Sequence, residues 1–247
     1  MGVTVEESRV IAGPGAASPS IAPIIELRDV IRVFREVDVE TIALRGVDLT
    51  IARGEFVAIM GRSGSGKSTL LQLLAGSDRP TAGRVVVDGV DLSRAEETER
   101  ASVRGSRVGI VFQSQNLVPF LTLRENVELA ALLAGRPIDG PTALAALIRV
   151  GLDARAEHRP AQLSGGEQQR AALAAVAVSR PAIILADEIT GELDTANASL
   201  LLDLLEEIHI ADGMTLVLAT HDPAVASRAQ RIVQLRDGRV VGEGRSE

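Results

Sequence analysis

At 247 residues with 46% hydrophobic content, the chain suits one large domain or a domain with a subdomain, and its 2% aromatic content leaves Ala, Leu, Val and Ile to build the core. The absence of cysteine excludes disulfides and Cys-ligated metals, and a formal net charge of −7 argues against general nucleic-acid binding, which needs a basic face. No apolar run reaches the roughly 18 residues of a spanning helix, so any work at a membrane is expected to go through a partner.

Residues 1–23 are rich in Gly, Ala, Ser and Pro and read as a mobile leader without the basic-then-apolar order of a signal peptide. One domain is expected over 24–247. Residues 24–35 alternate apolar and charged side chains and predict a strand; 41–51 predict a second, and Arg53-Gly54 a turn into a short buried strand at 55–60. Next comes Gly61-Arg62-Ser63-Gly64-Ser65-Gly66-Lys67-Ser68-Thr69, a full G-x-x-x-x-G-K-S phosphate loop, followed by a helix at 68–75. The glycines let successive N–H groups converge on a phosphate at the positive end of that helix. Lys67 is the only lysine, against 25 arginines. A compact ammonium reaches between the β- and γ-phosphates where a planar guanidinium would not fit, and the Ser68 hydroxyl suits Mg²⁺.

Residues 84–87 predict another strand, closed by Asp88-Gly89. From 92 to about 152 the pattern is helical, broken by an apolar stretch at 108–112 and by Gly135, Pro137 and Pro141; a helical subdomain is expected over about 92–180. Leu163-Ser164-Gly165-Gly166-Glu167 opens a helix. Ser164 and Glu167 have capping-box spacing, and the glycines and free N–H groups make the same start an anion site; both readings can hold at once. Residues 181–186 form a continuous apolar run, as in a strand buried on both faces, ending in Asp187 and Glu188. That pair stands where ligands bind in open parallel sheets, though taken alone it reads equally as two solvated acids starting a loop. Residues 195–210 predict a helix, 214–219 a buried strand ending near His221, and 231–235 with 239–241 a hairpin around Asp237-Gly238. His158 and His209 read as structural. Strands alternating with helices give an α/β class with a mostly parallel sheet.

In this order the phosphate loop, Val111-Phe112-Gln113, Leu163 to Arg170, Ile183 to Glu188, Gly191 to Asp194 and Ala219 to Asp222 resemble the nucleotide-binding subunit of an ABC transporter, from about residue 24 to the C-terminus. The stretches 54–61, 75–83 and 116–128 are similar to its MacB/LolD branch, which includes FtsE-type subunits. The resemblance implies a P-loop NTPase core with an N-terminal antiparallel β subdomain and a helical, signature-bearing subdomain. It implies ATP and Mg²⁺ as cofactors, with Ser68, Asp187 and Gln113 at the metal, and Glu188, His221, Gln113 and Lys67 as catalytic groups. Glu188 would polarise the attacking water and His221 donate to the γ-phosphate. Phe34 would stack on the base, and residues 61–69 would hold the phosphates. Leu163, Ser164, Gly165, Gly166 and Glu167 would meet the ATP of the opposite subunit, with Asp194 in the loop at the dimer interface.

The implied protein is a cytoplasmic ATPase, homodimeric with ATP, peripheral on the inner face of the membrane through a separately encoded FtsX- or MacB-like permease docked around 113–127. It would power macrolide, peptide or lipoprotein-type export. An FtsE-like subunit that moves no substrate is the nearest alternative; a soluble ABC-type ATPase on nucleic acid lacks its usual inserts here, and a GTPase would need a second lysine for its base reader. The chain departs from the family in having Phe34 for Tyr, Ile189 for Pro, Glu192 for Asn and Ala175 for Arg, which puts rate and loop geometry in question.

Overall fold

The computed structural model describes residues 22–36, 39–114 and 116–245; the leader expected over 1–23 lies outside the described residues except for Ala22 and Pro23. Two sheets organise the molecule. Strands β1 (Ile25–Glu36), β2 (Val39–Ile51), β4 (Ala82–Val87) and β5 (Val90–Asp91) form an antiparallel sheet in the order β2-β1-β4-β5. The larger sheet has the order β10-β9-β3-β8-β7-β6, from β3 (Phe56–Met60), β6 (Val108–Val111), β7 (Ile183–Asp187), β8 (Thr215–Thr220), β9 (Arg231–Arg236) and β10 (Arg239–Arg245). Its neighbours pair in parallel except β9 with β10. The α/β class and both expected sheets are therefore present.

The central strands are buried on both faces, which is why they read as unbroken apolar runs. One face packs with the antiparallel sheet and α1 (Lys67–Leu74) around Leu70, Leu73 and Leu74. The other packs against α5 (Gly165–Ala177) and α6 (Thr195–Asp212). A third core joins α3 (Leu123–Leu133), α4 (Gly140–Arg149) and α5 through Leu123, Val127, Leu147 and Ala171. Helix α2 (Glu97–Ser106) instead lies against β6, and its Val103 belongs to the first core.

The alanine run of α5 follows from this arrangement. Ala172 and Ala177 face the second core while Ala171, Ala174 and Ala175 face the third, so the helix is buried nearly all round and small side chains let both cores approach. Ala175, one of the departures, is thus an interior residue. Strand β7 starts later than the apolar run predicts, because Arg180 turns the chain at φ 47° and Pro181 has no N–H to give the ladder. A short helix α7 (Pro223–Ala226), not expected from sequence, is capped by Asp222, which accepts from the Ala224 N–H at 2.8 Å. His209 is buried, its Nδ1 lying 2.6 Å from the Met214 carbonyl, which fits its structural reading.

The β9–β10 hairpin also positions the phosphate loop. At its tip Gly238 donates its N–H to the Ser65 carbonyl at 3.0 Å and accepts from the Arg45 N–H at 2.8 Å. It therefore joins the antiparallel sheet to the loop that follows β3.

Candidate nucleotide site

The loop from Gly61 to Gly66 leaves the C-terminal end of β3 and turns directly into α1. Gly66 sits at φ 105°, and a Cβ there would lie 2.6 Å from the Ala43 carbonyl oxygen. At Gly61 a Cβ would come within 2.3 Å of the Leu235 oxygen. Only glycine fits either place. The Ser65 hydroxyl is buried in this loop without a hydrogen-bond partner among the described residues.

Lys67 is 5% exposed, and its Nζ donates to the carbonyls of Gly61 at 2.8 Å and Arg62 at 3.2 Å. It also pairs with Glu188 Oε1 at 3.1 Å. The other carboxylate oxygen of Glu188 lies 3.1 Å from His221 Nδ1. Three residues expected to act on phosphate and water thus form one chain, with Glu188 in the middle. Glu188 has a left-handed backbone at φ 48°, and its N–H donates to the Ala219 carbonyl at 3.0 Å. A non-glycine residue there is strained, and such strain concentrates where a side chain is being aimed.

Asp187 lies beside this chain. Burial pushes its carboxyl above the usual range, opposed by a hydrogen bond from Ser68; the Glu188 charge adds to the rise and the Lys67 ammonium opposes it. Its Oδ1 is buried with no partner among the described residues. An orphaned carboxylate oxygen next to a hydroxyl is the oxygen donor set that Mg²⁺ takes when it binds with nucleotide phosphates. Among the described residues no cluster of three or more His, Cys, Asp or Glu could hold a metal ion.

Gln113, Ser68, Asp187 and Glu188 line one cavity of about 490 Å³. The Gln113 amide turns to the side, donating to Glu192 Oε1 at 3.2 Å. Two residues that sequence reasoning assigned no role hold this loop. Gln169 of α5 donates to the carbonyls of Phe112, at 3.1 Å, and Gln113, while Asn116 bonds both backbone groups of Phe112 at 2.7 Å and Gln169 Oε1 at 3.2 Å. Both lie within recognised motifs, but only a contact across the fold reveals their pairing.

The signature segment carries its capping box: Ser164 Oγ accepts from the Glu167 N–H at 3.3 Å, and Glu167 accepts from the Ser164 N–H at 2.8 Å. That backbone bond holds the Glu167 carboxyl below its usual range. Leu163 and Gly166 are buried, whereas Ser164 and Gly165 are exposed and do not line the phosphate cavity. Asp194 caps α6, accepting from the Asn197 N–H at 2.9 Å. Ile189 is 2% exposed in the second core, so this departure anchors the loop after Glu188. Phe34 stands apart on β1, lining an opening of about 570 Å³ with Arg32, Arg35 and Thr81.

A glycine loop closed on a buried lysine, with a hydroxyl and two acids at the C-terminal edge of a parallel sheet, defines a P-loop nucleotide-binding protein. The profile of a family described as ABC transporter matches residues 44–191. The chain is 47% identical over 223 residues to the macrolide export ATP-binding/permease protein MacB of Hyphomonas neptunium, covering 90% of this chain and 34% of that protein. It is 46% identical over 221 residues to an uncharacterized ABC transporter ATP-binding protein of Thermotoga maritima, covering 89% of this chain and 94% of that one. Among solved structures, a post-hydrolysis dimer of the ATP-binding cassette MJ0796 bound to ADP and Pi superposes with TM-score 0.84 at 39% identity, over 90% of this chain and 99% of that chain. The chain belongs to the ABC transporter family: it is an ABC-type ATPase cassette of the MacB-like branch. It spans about a third of the length of the MacB relatives.

Proposed function

We propose that this cassette hydrolyses Mg²⁺-ATP between two copies of itself and so drives a membrane permease in export of the macrolide or peptide type. The chain of Lys67, Glu188 and His221 beside the orphaned Asp187 oxygen carries the proposal. Both oxygens of Glu188 are engaged, one by Lys67 and one by His221. Phosphates entering the loop offer Lys67 a better partner than a carboxylate and release one oxygen to accept a proton from water. His221, 60% exposed at its side chain, is free to turn toward the same phosphate. Ser68 and Asp187 would hold Mg²⁺, whose chemistry there is to neutralise charge on the phosphates.

The exposed Ser164 and Gly165, outside their own chain's phosphate cavity, support a role on the ATP of a second copy. Contacts made only in the closed pair supply the differential binding that a conformational switch needs. The MJ0796 cassette was captured as a dimer with ADP and Pi, which supports the same assembly here.

For the permease, the helical part offers an opening of about 710 Å³ lined by Pro119, Phe120, Glu157 and Arg159, with Phe120 71% exposed. None of the described helices is long and apolar enough to cross a membrane. The permease would therefore hold the cassette at the inner face, through the segment 113–127. The test is co-expression with a candidate permease and reconstitution in vesicles. ATPase stimulation by a macrolide or peptide, lost in Phe120→Asp with basal hydrolysis intact, supports the proposal. A cassette that stays monomeric with ATP as Glu188→Gln, or whose ATPase ignores every permease substrate, overturns it.

A further inference from the structure

We infer that Arg32, clamped by Asp78, is the positioning residue of the base site: it covers one face of Phe34 and leaves the opposite face for a purine. This rests on the expectation, drawn from the family resemblance, that Phe34 stacks on the base. The Arg32 guanidinium carbon lies 4.4 Å from the Phe34 ring centroid, a cation–π contact. Residues two apart on a strand share a face, so the contact is built into β1 itself. The β1–β2 register slips between Arg32 and Val33 with the extra residue, Ala43, on β2, so β1 keeps its alternation from Arg32 to Phe34.

Arg32 is held from outside the strand. Its Nε donates to Asp78 Oδ2 at 2.6 Å, and both side chains are 22% exposed. Asp78 lies in the loop that leaves α1, and its N–H donates to the Gln72 carbonyl at 3.3 Å. Three residues on, Thr81 Oγ1 accepts from the Val33 N–H at 3.0 Å while the Thr81 N–H donates to the Ile31 carbonyl at 2.8 Å. Residues 31–33 are thus pinned to the loop at the far end of the helix that begins with Lys67. The aromatic face and the phosphate loop are spaced by one rigid element.

A ring has two faces, and Arg32 occupies one, so the base approaches from one side only and the nucleotide enters with its base in a defined orientation. A cation behind the ring also draws electron density from it, which favours an electron-rich purine on the other side. Neither effect reads hydrogen-bonding edges, so Arg32 should act alike on adenine and guanine.

The chain has no tryptophan or tyrosine, so Phe34→Trp places a single fluorophore at the site. Its quenching by ATP and GTP gives Kd, and inorganic tripolyphosphate, measured as a competitor, is the probe without a base. Arg32→Ala and Asp78→Asn should each raise Kd and KM for both nucleotides about five- to tenfold, with kcat at saturation kept. Arg32→Lys should restore part of the loss. Tripolyphosphate affinity should not change, and Arg32→Ala should add nothing in a Phe34→Ala background. With KM as the readout in variants that lack the tryptophan, an unchanged KM in Arg32→Ala, while KM is raised in Phe34→Ala, overturns the role of Arg32 alone. An unchanged Phe34→Ala overturns the base site beneath it. Equal loss of tripolyphosphate binding shows that Arg32 serves the phosphate loop instead, and overturns the inference.

Discussion

The two ends of the parallel sheet both gather positive charge, and they use it for opposite purposes. At the C-terminal end one buried ammonium, Lys67, sits at the start of α1. At the N-terminal end Arg53, Arg107, Arg136 and Arg180 line a cavity of about 310 Å³ in front of β3, β6, β7 and β8. Charge count alone would make the arginine-lined end the better anion site, but its surroundings neutralise that charge. Helices α2, α5 and α6 end there, presenting free carbonyls and the negative end of the helix dipole. Arg136 donates to the trailing carbonyls of Ser179 at 2.8 Å and Arg180 at 3.3 Å. Arg53 and Arg107 both pair with Asp88, while Asp212 takes Arg149 at 3.0 Å. Arg53, Arg107 and Arg136 thus satisfy the fold. At the other end, helix α1 begins, Ser65 and Asp187 keep oxygens without a partner among the described residues, and Lys67 is held by backbone carbonyls and Glu188. The difference between a capped end and a binding end lies in which groups remain unsatisfied.

The sharpest way to break this contrast is Glu188→Gln. It removes the proton acceptor and leaves Lys67 its two carbonyl partners, so ATP binding should persist while phosphate release at saturating Mg²⁺-ATP falls at least ~100-fold. A rate within tenfold of the parent would remove Glu188 from its role.

Asp187→Asn tests the strain at the binding end. Without nucleotide and Mg²⁺ the fold raises this carboxyl, so the native state holds the proton more tightly than the unfolded chain. Stability attributable to Asp187 then falls as pH rises from the ordinary aspartate value of about 3.9 through the raised one. Thermal unfolding should show the Asn variant more stable than the parent at neutral pH and lose that advantage toward pH 4. Mg²⁺-ATP should reverse the neutral-pH ranking, since the parent alone keeps the carboxylate for the metal. A variant less stable at neutral pH without ligand would contradict the desolvation account.

Arg136→Ala probes the capped end. Losing two bonds to helix-end carbonyls should cost about 1 kcal/mol, roughly 2–4 °C in Tm for a chain of this size. KM for ATP should stay the same; a raised KM would show that the two ends are not independent. The smallest expected effect is at Phe34: stacking reads a π-face, so GTP should be hydrolysed within about tenfold of ATP, about 1.4 kcal/mol or less. Paired kcat/KM values decide it, and a strong ATP preference would mean that other groups read the base.

Much of the site is legible in the sequence because its parts are local. The loop 61–69 names its own backbone shape through glycine spacing, and Ser164 and Glu167 announce their box because both partners lie within one helical turn. The expected strands appear because burial on both faces writes an unbroken apolar run. The limits of the local signal are equally specific. Gln113 is expected at metal and water, but in the structure its amide meets Glu192, on a loop whose approach no spacing encodes. Gln169 and Asn116 are ordinary amides until α5 and the loop after β6 are brought together.

By itself, then, the sequence determined the α/β class, the phosphate loop, the starts of α1, α5 and α6 and the order of the motifs, since each depends on backbone preferences within a few neighbouring residues. Tertiary structure alone decided that Glu188 stands between Lys67 and His221, that Asp187 keeps an unpaired oxygen, that the alanines of α5 separate two cores, and that Arg32 covers Phe34. Those outcomes turn on where distant segments meet and on which polar groups burial leaves without partners, and packing of the whole chain sets both.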